Sequence, residues 1–192
     1  MNQKAILYAS MGGGVLLAVV LAMFLPMPGE EKMPEIDESK FVSWQSFSST
    51  DNSFTARFPQ IAETRNNDLR VSGGQTLGQK VYSAKDNKDN AYLIVSTEYP
   101  EVLPVESAEE LLRLALDGMV QSDPSNKLIH SKFAKLHGQP SLEFVIEDGQ
   151  KLNNKGHITM KDKIMYQIFE VYETKDFDEM AHNYFITSFQ TR

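Results

Sequence analysis

Four histidines, His130, His137, His157 and His182, are the side chains whose proton affinity suits acid–base work or metal binding near neutral pH. His130 and His157 fall on predicted strands, where pairing could bring them to one sheet face beside an acid. Such a group would be a metal site or an acid–base pair. The simpler reading, which we adopt, leaves them as half-exposed strand and loop residues. Asp86, Asn87, Asp89 and Asn90 offer oxygen ligands to Ca2+, but the spacing is not that of an EF-hand and Lys85 and Lys88 repel a cation. That stretch reads as a hairpin turn. The motifs G-x-S-x-G and H-E-x-x-H, the P-loop and the dinucleotide fingerprint are all missing. We therefore assign no catalytic, cofactor-binding or metal residue, and expect no enzyme and no cofactor.

Charge narrows the partners. The chain carries 19 Lys+Arg against 26 Asp+Glu, a formal net charge of -7. Nucleic-acid binding wants a basic face, so it is not expected. One local exception runs through Lys127, Lys132, Lys135, Lys151, Lys155, Lys161 and Lys163, set against Glu143, Glu147, Asp148 and Asp162. This segment is a weak candidate surface for an acidic protein partner or an anionic headgroup, with a solvated sheet face as the plainer reading. There is no cysteine, which excludes disulfides, thiolate metal sites, a thiol nucleophile and lipidation at cysteine.

The elements that must hold these residues read as follows. Short strands are expected at Trp44 to Phe47 and at Ser53 to Phe58, the latter alternating Phe54, Ala56 and Phe58 and stopped by Pro59. The polar stretch Asn66 to Gly78 reads as a loop. Strands at Gln79 to Ala84 and Tyr92 to Glu98 flank the turn Lys85 to Asn90. Ser107 with Glu110 three residues on is a capping box, and Ala108, Leu111, Leu112, Ala115 and Met119 follow at helical spacing until Asp123, Pro124 and Ser125. Strands are then expected at Lys127 to Leu136, Ser141 to Glu147, Gly156 to Lys161 and Ile164 to Glu173. A second helix starts near Asp176, with Phe177, Met180, Ala181, Tyr184 and Phe185 as its apolar stripe. Trp44 is assigned to the core in preference to a membrane-interface role. Four strands, a helix, four strands and a helix, joined by short polar turns, predict an α+β domain: a mainly antiparallel sheet covered by two helices.

Three stretches carry a resemblance. Trp44 followed by Ser53-Phe54-Thr55-Ala56-Arg57-Phe58-Pro59 opens the domain; His137-Gly138-Gln139-Pro140-Ser141-Leu142-Glu143-Phe144 lies in its middle; Lys163 to Ile168 and Phe185-Ile186-Thr187-Ser188-Phe189 close it. In this order they resemble the PsbP-like fold family, which includes the extrinsic PsbP protein of photosystem II, a yeast Ran-binding import factor and exported bacterial proteins of the DcrB type. The resemblance implies an αβα sandwich and export. It implies no activity, because the family is mostly non-enzymatic and its members bind different things, and no PsbP-type metal or photosystem residue is carried over. On its motifs, Gly138 and Pro140 are expected to shape a turn and Phe189 to plug the core.

Ahead of the domain, Ala5 to Leu25 holds no charged side chain. As a helix rising about 1.5 Å per residue, it would span a bilayer core of about 30 Å. We read residues 1–4 as a short cytoplasmic N-terminus, 5–25 as a transmembrane helix or signal anchor, 26–40 as an acidic proline-bearing linker and 41–192 as the domain. A cleaved signal peptide is the alternative, but the apolar run is long for one and ends in Met23, Phe24, Leu25 and Pro26, with no small-residue cleavage site. Lys4 precedes the span, and Glu30, Glu31, Glu35, Asp37 and Glu38 follow it. Positive charge stays inside, so the domain is expected on the periplasmic or extracellular side of the cytoplasmic membrane. Protease added to spheroplasts should therefore digest the domain, and carbonate washing should leave the full chain in the membrane. Release of a chain shortened by about 25 residues would mean a signal peptide.

Overall fold

The computed structural model describes residues 36–70, 76–99 and 107–192. The apolar segment Ala5 to Leu25 and residues 26–35 of the tether lie outside them; among the described residues no helix is long and apolar enough to cross a membrane. Packing starts before Phe41. Asp37 caps a 3-10 turn over Glu38–Phe41, and Ile36 lies against Phe41, Ala181 and Tyr184.

Among the described residues, ten strands and two α-helices follow. The strands are β1 (Gln45–Ser48), β2 (Phe54–Phe58), β3 (Glu63–Arg70), β4 (Thr76–Lys85), β5 (Ala91–Glu98), β6 (Lys127–Leu136), β7 (Gln139–Glu147), β8 (Asn153–Lys161), β9 (Ile164–Tyr172) and β10 (Gln190–Thr191). Helix α1 spans Ala108–Gln121 and α2 spans Glu179–Ser188. Seven strands form one antiparallel sheet in the order β3-β4-β5-β9-β8-β7-β6, and β1, β2 and β10 make a small second sheet.

Alternation along the strands produces two cores. One face of the large sheet carries Tyr82, Tyr92, Ile94, Tyr166 and Ile168 and is covered by α2 and the small sheet through Phe54, Phe58, Phe185 and Phe189. The other carries Leu142, Phe144, Ile146, Ile158 and Met165 under Leu111, Leu112, Ala115 and Leu116 of α1. Ser107 caps α1 as its spacing with Glu110 predicts, its hydroxyl accepting from the Glu110 N–H at 3.1 Å. Phe189 is the expected core plug, 1% exposed. Trp44 is half-buried, with its ring edge-to-face with Phe41, Tyr92 and Tyr184.

Several expectations need correction. Asn66 to Gly78 is not one loop: β3 pairs with β4 from Glu63↔Ser83 to Arg70↔Thr76. β3 is an edge strand exposed from Glu63 to Asp68, so it needs no apolar alternation and its polar sequence conceals it. The order is therefore five strands, a helix, four strands, a helix and the two-residue β10, whose partner β2 lies far off in sequence. Helix α2 starts after Asp178, whose carboxylate accepts from the Met180 and Ala181 N–H groups; Asp176 instead ends a 3-10 turn. Met180, expected in the apolar stripe, is exposed, and Ala108 of α1 is too. The hairpin turn between β6 and β7 is His137-Gly138, both at positive φ, while Pro140 lies inside β7 opposite Lys135.

Phe58 and Phe185 are fully buried, their ring centroids 5.3 Å apart. Phe58→Ala or Phe185→Ala should each cost roughly 3–5 kcal/mol in urea unfolding. A subtler test is Gly156. A Cβ there would sit 2.0 Å from the Ile168 carbonyl oxygen, whereas one at Gly78 would meet nothing within 4 Å. Gly156→Ala should be strongly destabilising, and Gly78→Ala neutral or stabilising.

Candidate functional site

The structure does not bring the two strand histidines together. His130 on β6 lies opposite Val145 of β7, and His157 on β8 lies opposite Glu143 of the same strand, so β7 stands between them with a two-residue offset. His130 is exposed, and His137 occupies the hairpin turn. His157 is half-buried, with Nδ1 3.2 Å from the Ser141 hydroxyl. Burial holds its imidazole down, to about 4, against the opposing pull of Glu143. Serine, histidine and glutamate thus meet on one face, but Ser141 is 0% exposed. No substrate carbonyl can reach its hydroxyl, so this is not a nucleophilic site.

His182 goes further and is in hydrogen-bond contact with an acid. Its Nδ1 lies 3.1 Å from Glu170 Oε2, with His182 2% and Glu170 0% exposed. Strand β9 turns Tyr166, Ile168, Glu170 and Tyr172 to the α2 face, which carries Glu170 inward with its apolar neighbours. On α2, His182 follows Asp178 by one turn and precedes Phe185, on the inward stripe. Both positions were legible in principle: an acid at an inward strand phase, and a histidine at an inward helix phase. Phe177 closes over the pair, its ring 5.7 Å from that of His182, and Lys155 Nζ lies 4.9 Å from the Phe177 ring. Across the β5–β9 pairing Tyr92 faces Glu170; the Tyr92 hydroxyl and Glu170 Oε1 make no hydrogen bond of ordinary geometry.

Burial disfavours charge on both partners. The Glu170 carboxyl is pushed up to about 7, and the His182 imidazole is pushed down to about 3. A protonated carboxyl donates to Nδ1; an ionised one accepts from Nδ1–H. The contact survives either state, as a structural fastening between α2 and the sheet does.

The seven lysines divide. Lys127, Lys132, Lys155 and Lys161 share the α2 face of the large sheet by register, whereas Lys135 points to the α1 face. Lys132 lies opposite Glu143. Lys151 pairs with Glu147 at 2.8 Å, and Lys163 pairs with Glu98. Asp86 closes its turn by accepting from the Lys88 and Asn90 N–H groups. Among the described residues no group of three or more acids and histidines is placed to hold a metal.

An open concavity lies elsewhere, between α1 and the sheet. It has a volume of about 540 Å³ and runs from Leu77 and Tyr99 over Met165 and Phe169 to Asp123 and Asp148. A smaller hollow of about 270 Å³ lies beside His137 and Phe189.

This architecture is similar to the solution structure of cyanobacterial PsbP (CyanoP) from Synechocystis sp. PCC 6803, with a TM-score of 0.53 over 78% of this chain and 92% of that one, at 14% identity. The fold is PsbP-like. The expected resemblance is borne out at the level of fold, and identity this low carries nothing about activity. Comparison with family models and with curated proteins finds no match.

The buried pair gives the PsbP-like domain a pH signature. Native Glu170 keeps a proton up to about 7, which the unfolded chain releases near 4.5, so its contribution is full below pH 4.5 and lost as pH rises through 7. His182 acts oppositely: its contribution is present above 6.5 and lost as pH falls toward 3. Glu170→Gln should remove the alkaline loss, so urea stability of wild type and variant should diverge between pH 4.5 and 7. Parallel curves would mean that Glu170 is already ionised in the native state.

Proposed function

We propose that the chain is a non-enzymatic binding or accessory module, anchored in the cytoplasmic membrane through Ala5 to Leu25, with its domain outside the cytoplasm as part of an envelope protein complex. One observation carries the non-enzymatic half: the acid and histidine that converge are sealed in the core, while the open cleft under α1 is lined by apolar side chains, amides, hydroxyls and two fixed carboxylates. A catalytic acid or base must reach a substrate proton, and Glu170 and His182 reach only each other. The anchoring half rests on the apolar span and the charge asymmetry around it. The alternative of an enzyme or small-ligand carrier using His130 or His157 has less support: β7 separates the two, and the hollow beside His137 has no Asp or Glu among its described lining residues. A bare spacer without a ligand is the remaining competitor.

For the partner surface, the exposed edge strand β6 is favoured. It carries Lys127, Lys132 and Lys135, with Leu128 and Ile129 exposed at a bulge. Photocrosslinking residues placed at Lys127 and Lys135 of the full chain in native membranes should yield a reproducible protein adduct, and one at Asn67 on the opposite edge should not. Equal silence at both edges would favour the spacer.

A further inference from the structure

We infer that the cleft beneath α1 is a binding site for a cationic amphiphile: an apolar chain ending in an ammonium group. This assignment rests on the binding-module reading and supplies its ligand class. A volume of about 540 Å³ is that of a small-molecule site, since such pockets span about 300–1,000 Å³. Helix α1 is shaped for it. Its bulky Leu111, Leu112 and Leu116 press into the sheet core, while Ala115 and Gly118 line the cleft. A glycine inside a helix costs about 1 kcal/mol against alanine, and Gly118 sits half-buried in the cleft wall.

The two ends differ in chemistry. At one end Leu77, Tyr99, Met165 and Phe169 supply apolar surface that suits a hydrocarbon chain, with the hydrogen-bonded Gln79 and Thr97 and with Gln167 interspersed among them. At the other end, the charged side chains that line the cleft are both acids, Asp123 and Asp148, with no Lys, Arg or His among the described lining residues. The β7–β8 turn presses against the loop after α1; a Cβ on Gly149 would lie 2.3 Å from the Ser125 hydroxyl oxygen. That contact holds the two acids at one end. Each is fixed by a local turn: Asp123 Oδ1 accepts from the Ser125 N–H and hydroxyl, and Asp148 Oδ1 from the Gln150 and Leu152 N–H groups. Those Ser125 bonds hold Asp123 below the usual carboxylate range. Helix α1 also ends here, with no basic residue in its last turn, so its negative dipole end adds to the carboxylates. An ammonium head fits this end; a carboxylate or phosphate head is repelled.

The test uses the full chain in nanodiscs. Two alkyl diazirines, identical but for a trimethylammonium or a carboxylate head, are photolysed and the labelled peptides mapped by mass spectrometry. The ammonium probe should label α1 and β9 about tenfold more than its twin, equivalent to about 1.4 kcal/mol, and excess decyltrimethylammonium should compete. Asp123→Asn with Asp148→Asn should abolish the preference for the cationic head. Gly118→Leu, which adds a bulky side chain to the cleft wall, should abolish cleft labelling, with a retained cooperative melt as the control that the variant folds. Equal labelling by both heads, labelling indifferent to Gly118→Leu, or no labelling of the cleft would each overturn the assignment. If β6 adducts persist while the cleft stays unlabelled, the cleft assignment fails alone. Conversion of the probe to a product would overturn the non-enzymatic reading instead.

Discussion

The pairing of β5 with β9 holds the rest of the domain in place. Strands β3, β4 and β5 form one meander and β6 to β9 another; the register from Ala91↔Val171 to Glu98↔Ile164 joins them into a single sheet. Its two strands are separated in sequence by α1 and three further strands, so closing it carries a large loop entropy that local hairpins avoid. Once closed, it places Tyr92, Ile94 and Ile168 under α2 and Met165 and Phe169 beneath α1. Both cores, the Glu170–His182 pair and the cleft are built around this seam.

The seam also explains a buried carboxyl in an otherwise aromatic layer. Glu170 stands opposite Tyr92 and is covered by His182, so its isolation from water follows from register and not from a pocket. Removing one partner of such a pair strands a polar group in the interior. Asn90 extends the same theme beside it, donating to Asp86 and to the Asp176 carbonyl, and thereby ties the β4–β5 turn to the chain entering α2.

What the sequence made legible was whatever depended on local periodicity. The Ser107 cap, the alternation in β2 and β7 and the plug at Phe189 all report a buried face through spacing alone. β3 escaped because an edge strand exposed from Glu63 to Asp68 has no buried face to report. β10 escaped because two residues hold no period. Glu170 and His182 escaped for a different reason: each was visible at an inward phase, but only the tertiary crossing of α2 over β9 makes them neighbours. The cleft was equally hidden, since its lining comes from five strands, α1 and two turns, and its one local signal, Gly118 in mid-helix, gains meaning only once the opposing sheet is known.

Among the described residues, the outer strand β6 has one row of backbone hydrogen-bonding groups without a sheet neighbour. A flat edge of that kind invites a second edge to zip onto it. Here the ladder breaks between Leu128 and His130, so the repeat of donors and acceptors falls out of step, and three lysines along the strand would confront those of any identical neighbour. A second β6 is thereby hindered from zipping onto this edge, while a partner bearing acids and a matching irregularity is not shut out.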